Sequence, residues 1–508
     1  MTRATVRIDP AFVVGPVRPR TFGSFVEHMG RCVYTGIYEP GHPQADELGF
    51  RRDVADLVRE LGVTTVRYPG GNFVSNYRWE DGVGPKADRP TQLDLAWRSV
   101  ETNQVGTDDF VDWARSVGVE PMMAVNLGTR GMPEAVELLL YCNGEKGTSL
   151  PDRRVENGHP EPHDIRVWCL GNEMDGPWQI GHKTAEEYAR VAEETARAML
   201  RIDGDLELVA CGSSNRGMPT FGTWERTVLE RCFDFVDHIS AHAYYEPVDG
   251  DVDSFLASSE DMHRFIESVV ATADHVAAVK GSDKRITVSF DEWNVWFQGR
   301  FDGESSLEIR EAPELIEDVY DVTDAVVVGS LLITLLQHTD RVSMACQAQL
   351  VNVIAPIVTR AGGPAWRQSI FHPFALTAKH ARGTVLRPAV RCDTVDTRAF
   401  GPVDQLVVTA THDAESGDLT VFVVNRSRTE PVELELDVAA TVGAGPAAYR
   451  LVEHLSIHDD DTTATNTERE PDRVTPRSGD ASIAGTTLSA SLPPTSWHCI
   501  RLTEGTVQ

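Results

Sequence analysis

Several features that define other classes of protein are missing from this sequence. Nowhere do about 18 apolar residues follow one another, so no stretch is long enough to span a membrane as a helix. The first ten residues, Met1 to Pro10, carry charges and lack the apolar block of a secretory signal peptide. We therefore expect a cytoplasmic protein with no membrane partner.

Basic side chains are scarce. The 47 Lys and Arg residues face 77 Asp and Glu residues, which gives a formal net charge of −30. Such a molecule repels phosphate backbones and anionic membranes, so we expect no nucleic-acid partner and a ligand that is neutral or cationic. The eight cysteines include no CxxC pair and several lie within apolar runs, which favours reduced thiols in the core.

Motifs for metal and cofactor chemistry are also absent. The sequence contains no HExxH, no facial-triad spacing and no Cys/His cluster, and the nucleophilic serine elbow is missing. We predict no metal and no cofactor. Any chemistry must therefore come from other polar side chains.

Short β-branched segments alternate with longer amphipathic segments between residues 19 and 380 of the 508. This alternation is typical of repeated βα units, and eight such units close into a TIM barrel. We therefore predict a catalytic (β/α)₈ domain over 19–380. The strand candidates are Thr21–His28, Val63–Pro69, Pro121–Asn126, Val167–Asn172, Leu206–Gly212, His238–Tyr244, Ile286–Glu292 and Val342–Gln349. The helix candidates include Arg51–Leu61, Asp108–Ser116, Thr184–Arg201, Ser254–Ala278 and Val319–His338.

The pattern changes after about residue 381 to short alternating strands separated by Gly, Pro, Asp and Thr. This pattern predicts an all-β antiparallel sandwich, jelly-roll-like, over residues 381–508. Residues 1–18 also have strand character, so we expect them to join the sandwich. Residues 459–476 form a polar loop.

Two glutamates stand at the carboxyl ends of strand candidates. The fourth strand leads into Asn172-Glu173, and the seventh leads into Asp291-Glu292. Reactive groups in TIM barrels stand at the carboxyl ends of strands, and glycoside hydrolysis needs one carboxyl group as acid and a second as base or nucleophile. Retention of anomeric configuration needs the pair roughly 5 to 5.5 Å apart. Either glutamate alone could instead cap a helix or pair with arginine.

Longer strings around these glutamates resemble family 51 of the glycoside hydrolases, the intracellular α-L-arabinofuranosidases. The resemblance covers nearly the whole chain. The strings that carry it are Gly171-Asn-Glu-Met-Asp-Gly-Pro-Trp-Gln179, Arg67-Tyr-Pro-Gly-Gly-Asn72, Asp291-Glu-Trp-Asn-Val-Trp296, Glu101-Thr-Asn-Gln104, His242-Ala-Tyr-Tyr245 and Gln349-Leu-Val-Asn-Val-Ile-Ala-Pro-Ile357.

The resemblance implies a role for eleven residues. Glu173 would be the acid/base and Glu292 the nucleophile. Asn172 would bind the sugar 2-hydroxyl, and Tyr244 would donate a hydrogen bond that keeps Glu292 ionised. The other sugar-binding residues would be Glu27, Asn72 and Gln349, with Trp97 and Trp296 stacking on the leaving-group sugar and Arg67 and His242 as supports. Structural alternatives remain for the supporting residues: Glu27 and Gln349 could be buried partners of Arg67, and the tryptophans could only pack.

Two carboxylates a few ångströms apart repel each other, so one must hold a proton near neutral pH. We expect Glu173 to be the protonated one, because Trp168, Trp178 and the pocket wall limit its solvation.

The predicted activity is retaining, exo-acting hydrolysis of terminal α-L-arabinofuranosyl residues from arabino-oligosaccharides, arabinan or arabinoxylan fragments. The alternatives are an endo-β-glucanase-like hydrolase and an inactive carbohydrate-binding protein. The resemblance also implies a homo-oligomer, with a hexamer as one form. The loop 297–313, rich in Gly and charges, could gate the leaving-group site.

Overall fold

Eight parallel strands form a closed barrel in the computed structural model, which describes residues 2–441 and 447–506. Each strand pairs with its neighbours in sequence, and the first pairs with the eighth. The predicted fold class is thereby confirmed. In chain order the barrel strands are Gly23–Phe25, Thr65–Tyr68, Glu120–Ala124, Val167–Leu170, Glu207–Ala210, His238–Tyr245, Thr287–Val295 and Val342–Gln347.

Most strands are shorter than the sequence predicted. The first was expected from Thr21 to His28, but a 3₁₀ turn occupies Pro19–Phe22 and the regular strand ends at Phe25. Only the sixth and seventh strands run further than predicted, to Tyr245 and Val295. Apolar pattern does not reveal these ends, because the segments just beyond the strands are also buried.

Ten α-helices are present in the described residues. The predicted helix Ser254–Ala278 is in fact two, Val252–Leu256 and Ser258–Lys280, because Ala257 leaves the helical conformation (φ −97°, ψ 13°). The side chain of Asp251 caps the first of them by accepting the backbone N–H of Ser254. The other helices are Arg52–Leu61, Thr107–Val117, Met132–Asn143, Ser149–Glu156, Ala185–Met199, Thr223–Cys232, Val322–Gln337 and Phe371–His380.

Two further sheets form a sandwich. The first contains, in spatial order, Ala389–Arg391, Thr2–Arg7, Val432–Asp437, Thr487–Leu492 and Ser482–Ala484. The second contains Val13–Pro16, Thr384–Leu386, Leu406–Asp413, Asp418–Asn425, Ser496–Thr506, Ala447–Ile457 and Arg477–Ser478. The remaining strands of the described residues form three two-stranded hairpins. These pair Gln92–Leu93 with Val100–Glu101, Ile357–Thr359 with Ala365–Arg367, and Thr394–Thr397 with Gly401–Asp404.

The two amino-terminal strands pair with strands from beyond residue 381. This pairing supports the domain division that we propose: a barrel of residues 19–380 and a sandwich of residues 381–508, completed by residues 1–18.

Helix Val322–Gln337 lies between the barrel and the sandwich. Its residues are apolar on every side and almost all buried, as expected for a helix with protein on all faces. It contacts the seventh barrel strand on one side and the sandwich strand Ser496–Thr506 on the other. At Gly329 the helix backbone lies directly against the ring of Trp497. None of the helices described is long and apolar enough to cross a membrane.

Candidate active site

The carboxyl ends of the barrel strands surround a cavity of about 1060 Å³. Such a position is where TIM-barrel enzymes hold their reactive groups. Of the eleven residues predicted for the site, eight line this cavity: Glu27, Asn72, Trp97, Glu173, Tyr244, Glu292, Trp296 and Gln349. The other three, Arg67, Asn172 and His242, are buried and hydrogen-bond to the lining carboxyl groups or to each other.

Glu173 and Glu292 approach each other closely across the cavity. Single ligand atoms of Glu173, His242 and Glu292 all lie within 4.8 Å of one another. Inverting glycosidases separate their carboxyl groups by about 6.5–9.5 Å to admit a water molecule, whereas retaining enzymes hold them about 5–5.5 Å apart. The observed spacing fits direct attack by one carboxylate.

Glu292 receives a hydrogen bond at each carboxylate oxygen. Arg67 donates from Nη1 to Oε1 at 2.8 Å, and the hydroxyl of Tyr244 donates to Oε2 at 2.7 Å. Burial raises the pKa of Glu292 and Glu173 raises it further, while His242, Arg67 and Tyr244 lower it. The net pKa is above the ordinary glutamate value, so the contribution expected from Tyr244 is present but outweighed by burial.

Glu173 lies in a tight loop beyond the fourth strand. Its backbone has a φ of +45°, a conformation that side-chain-bearing residues rarely adopt and that is found at functional sites. Trp178 donates from Nε1 to Oε2 of Glu173 at 2.7 Å, and Nδ1 of His242 lies 2.8 Å from Oε1. Trp168, by contrast, donates to the carbonyl of Ile165 in the core and does not line the cavity.

His242 links Glu173 to a third carboxylate. Its Nε2 lies 2.9 Å from Oδ1 of Asp291, which also faces Arg67. Burial lowers the pKa of His242, but Glu292, Asp291 and Glu173 together raise it well above its ordinary value. Burial raises the pKa of Asp291, yet Arg67 and His242 hold it below its ordinary value.

The surrounding carboxylates therefore favour the protonated form of His242, which lies between Glu173 and Asp291. Sequence reasoning did not consider the Asp291 carboxylate behind the imidazole, which only the structure brings next to His242.

Asn172 has one free donor. Its Oδ1 accepts from Nη2 of Arg67 at 2.5 Å, whereas its buried Nδ2 has no partner among the residues described. A buried unsatisfied donor is costly, and at a site it indicates a missing ligand group. The predicted bond from Asn172 to a sugar hydroxyl would satisfy it.

Glu27 is a buried carboxyl group that lines the same cavity. Its Oε1 accepts from the backbone N–H of Phe73 and from Nε1 of Trp97, both at 2.9 Å, and its Oε2 accepts from Gln349 at 3.1 Å. Burial raises the pKa of Glu27 to about 8; the two N–H donors lower it and Glu292 raises it. Glu27 is thus a protonated acid at neutral pH. A side chain at Gly71 would lie 2.5 Å from its Oε2, so the glycine is required by close approach.

Both tryptophans predicted for the leaving-group sugar line the cavity. Trp97 is buried and donates from Nε1 to Glu27. Trp296 packs edge-on against Tyr244, with ring centroids 5.1 Å apart. Trp178, beside Glu173, is 43% exposed and offers the more accessible ring to a leaving group.

Sequence reasoning missed several residues. Asp291 immediately precedes Glu292 and so could have been considered. Arg216, Asp261 and the hairpin tip Arg398–Phe400 also line the cavity, but no motif joins these distant segments.

Glu173, His242 and Glu292 also have the spacing of a metal site. Every carboxylate oxygen and ring nitrogen of the three already has a hydrogen-bonding partner in the protein. Hydrolysis by two carboxyl groups requires no metal.

Two family models match the chain. The α-L-arabinofuranosidase 1 domain matches residues 57–264, and the α-L-arabinofuranosidase C-terminal domain matches residues 291–496. The second match begins inside the seventh barrel strand, so it spans both structural units.

Relatives match over nearly the full length. An intracellular exo-α-(1→5)-L-arabinofuranosidase of Streptomyces lividans is 59% identical over 505 residues, 99% of this chain and 75% of the relative. An exo-α-(1→6)-L-arabinofuranosidase of Bifidobacterium longum is 52% identical over 508 residues, 97% of this chain and 96% of the relative.

Solved structures of α-L-arabinofuranosidases also match this chain over nearly its full length. A family 51 α-L-arabinofuranosidase from Bifidobacterium longum superposes with a TM-score of 0.94 at 48% identity, covering 99% of both chains. The α-L-arabinofuranosidase from Thermotoga maritima, solved as an arabinose complex, gives a TM-score of 0.87 at 32% identity, covering 99% of this chain and 100% of the other. This chain therefore belongs to family 51 of the glycoside hydrolases, the α-L-arabinofuranosidases.

Proposed function

We propose that this chain is a retaining exo-glycosidase that removes terminal non-reducing α-L-arabinofuranosyl residues, with Glu292 as nucleophile and Glu173 as acid/base. The linkage we propose is α-(1→5), because the relative of Streptomyces lividans carries that specificity at 59% identity. The observation that carries the mechanism is the close approach of the two carboxylates, since one oxygen of Glu173 lies within 4.8 Å of one oxygen of Glu292.

In the first step Glu292 attacks the anomeric carbon and forms a glycosyl ester as the glycosidic C–O bond breaks. The proton shared by His242 and Glu173 passes through Glu173 to the departing oxygen. Arg67 and Tyr244 hold the attacking carboxylate in place. Two donors on a carboxylate stabilise its charge and fix its orientation.

In the second step Glu173 takes a proton from water, and the water oxygen attacks the anomeric carbon. The ester C–O bond breaks, Glu292 returns to a carboxylate, and arabinose leaves with its original anomeric configuration. Asn172, Asn72 and Gln349 would bind the hydroxyl groups of the ring, and Glu27 would donate its carboxyl proton to one of them. We propose exo action because relatives that are 59% and 51% identical are named exo-acting.

Two alanine variants test the two roles. With an aryl α-L-arabinofuranoside that has an activated leaving group, we expect Glu173→Ala to keep more activity than with a natural oligosaccharide. Azide should then replace water and yield a glycosyl azide of retained configuration. Glu292→Ala should be inactive, and azide should give the inverted product instead. The roles would be reversed if Glu173→Ala gave the inverted azide.

A substrate panel tests the specificity. We expect the highest kcat/KM on α-(1→5)-linked arabinobiose, lower values on the α-(1→6) isomer, and none on a soluble β-glucan. Preference for the β-glucan would favour the endo-glucanase alternative. Saccharide binding without turnover of any substrate would favour the inactive carbohydrate-binding alternative.

We also propose a cytoplasmic homo-oligomer. Relatives are named intracellular, and family resemblance favours assembly, with a hexamer as the form to test. Sedimentation velocity should give one species at a multiple of the monomer mass. A single monomeric species would contradict this.

A further inference from the structure

The cavity is larger than one furanose ring needs. Pockets of about 300–1000 Å³ enclose drug-sized ligands, and this one reaches about 1060 Å³. Its inner part contains the two catalytic glutamates and Glu27. Its outer part is lined by residues that the proposed reaction does not use, including Arg216, Asp261 and Phe400.

One side of the outer part is a fixed ion pair. Arg216 donates from Nε to Oδ1 of Asp261 at 2.7 Å, and the hydroxyl of Tyr245 lies 3.4 Å from the other carboxylate oxygen. Tyr245 directly follows Tyr244, which holds the nucleophile. The ion pair is therefore connected to the catalytic centre through the sixth barrel strand.

The other side comes from the sandwich. The tip of the hairpin Thr394–Thr397 and Gly401–Asp404 lies against the short helix Val252–Leu256 of the barrel. Arg398 pairs with Asp251 at 3.2 Å, and the N–H of Ala399 donates to Oγ of Ser254 at 3.0 Å. The half-buried ring of Phe400 lies 5.5 Å from the guanidinium of Arg264. These contacts fix an aromatic ring in the cavity wall.

Part of the outer lining is connected to the acid Glu173. The N–H of Ser214 donates to Asp175, two residues after Glu173, and Arg216 follows in the same loop. Trp178, which donates a hydrogen bond to Glu173, lines the same cavity. Since the acid must face the leaving oxygen, the leaving saccharide extends toward this loop.

We infer that the outer cavity, bounded by Trp178, Arg216, Asp261 and the hairpin tip Arg398–Phe400, binds the second and third sugars of the leaving-group saccharide. Phe400 supplies a stacking face, and the Arg216–Asp261 pair supplies hydrogen-bonding groups for hydroxyls. The sandwich thus takes part in selecting chain length. This inference rests on the proposed function.

The test compares kcat/KM for an aryl α-L-arabinofuranoside with values for α-(1→5)-linked arabino-oligosaccharides of two, three and four sugars. In the wild type we expect kcat/KM to rise from the disaccharide to the tetrasaccharide. Phe400→Ala should lose about 10-fold on the tetrasaccharide, as expected for one aromatic contact, and stay within about twofold on the aryl glycoside. The matched control is Phe12→Ala, an aromatic residue 59% exposed and outside the cavity.

A second variant, Arg216→Ala, should also reduce the rise of kcat/KM with the number of sugars. This variant tests the inference if Phe400→Ala does not fold. Equal kcat/KM for all oligosaccharides in the wild type, or an unchanged dependence in the folded variants, would overturn the inference. Absence of aryl-glycoside hydrolysis by the wild type would instead overturn the proposed function.

Discussion

Five charged residues share the centre of the site: Arg67, Glu173, His242, Asp291 and Glu292. All are buried, so each must be paired to remain charged. His242 stands between the acid and Asp291, and it also lies 3.6 Å from Glu292. The single imidazole charge therefore supports both catalytic carboxylates. Asp291 does not line the cavity, and it acts as a positioning residue through its hydrogen bond to His242.

We predict that Asp291→Asn lowers kcat/KM by about 10- to 100-fold, the factor that corresponds to one hydrogen bond to a charged group. Loss of this carboxylate lowers the pKa of His242, so that the imidazole loses its charge at a lower pH than in the wild type. Since that charge lowers the pKa of the nearby Glu292, the pKa of Glu292 rises. The acidic limb of the pH–rate profile should therefore move to higher pH.

The measurement is kcat/KM against pH on an aryl arabinofuranoside. In the wild type the acidic limb should already lie above the ordinary glutamate value of about 4.3, because the pKa of Glu292 is raised. Asp108→Asn is the control, since Asp108 is a buried aspartate that bonds His163 away from the cavity. A lower rate with an unmoved acidic limb would show that Asp291 is only structural.

At the scale of elements, the loops that follow the barrel strands determine the burial and hydrogen bonding of each carboxyl group in the site. Glu27 follows the first strand, the N–H of Phe73 comes from the loop after the second, and Gln349 follows the eighth. Gly70 and Gly71 allow the second loop to pass against the carboxyl group of Glu27. Burial among these loops is what keeps Glu27 protonated.

We predict that Glu27→Gln increases thermal stability relative to the wild type, and that the gain grows as pH rises from 5 to 8. The folded-state pKa of Glu27 is about 8, above its unfolded value. The folded protein therefore binds the extra proton, and wild-type stability falls between about pH 4.3 and 8, by on the order of a few kcal/mol in total. Activity should fall, because Glu27 is placed in the sugar-binding wall.

Thermal melts of both proteins at pH 5, 6.5 and 8 check this. Glu60→Gln, at an exposed glutamate paired with Arg367, should show no such trend. A constant difference between Glu27→Gln and wild type across the three pH values would contradict a protonated Glu27.

At the scale of the whole molecule, the barrel and the sandwich share one buried helix. Helix Val322–Gln337 also donates from Gln337 to the carbonyl of Val408 in the sandwich at 2.9 Å. A side chain at Gly329 would lie 2.1 Å from Cδ1 of Trp497, closer than atoms can approach. The two units are therefore closely packed against each other along this helix.

We predict that Gly329→Ala lowers the free energy of unfolding by about 1–3 kcal/mol, although alanine favours helices over glycine by about 1 kcal/mol. The steric clash of the added methyl group with Trp497 outweighs the higher helix propensity of alanine at this position. Urea unfolding measures the change, and Gly41→Ala, where the added methyl meets nothing within 4 Å, is the control. Equal or higher stability of Gly329→Ala would show that the interface is loosely packed.

Local pattern was enough to predict the order of strands, the fold class and the position of the two glutamates at the carboxyl ends of strands. Apolar segments of strand length recur eight times, and Glu173 and Glu292 stand at the carboxyl ends of two of them, so chain connectivity alone brings them to one barrel rim. Strand ends such as Phe25 were not predictable, because burial beyond the strand depends on loops from elsewhere in the chain.

The sequence by itself determined the order of the βα units, and with it that Glu173 and Glu292 lie toward the carboxyl ends of the fourth and seventh strands. Only the tertiary structure decided the electrostatic surroundings of these residues and the extent of the cavity. The pKa of His242 is raised because Glu292, Asp291 and Glu173 meet around it in a buried space, and Phe400 reaches the barrel because a sandwich hairpin folds onto it. Both depend on distances between segments far apart in the chain, which local pattern does not encode.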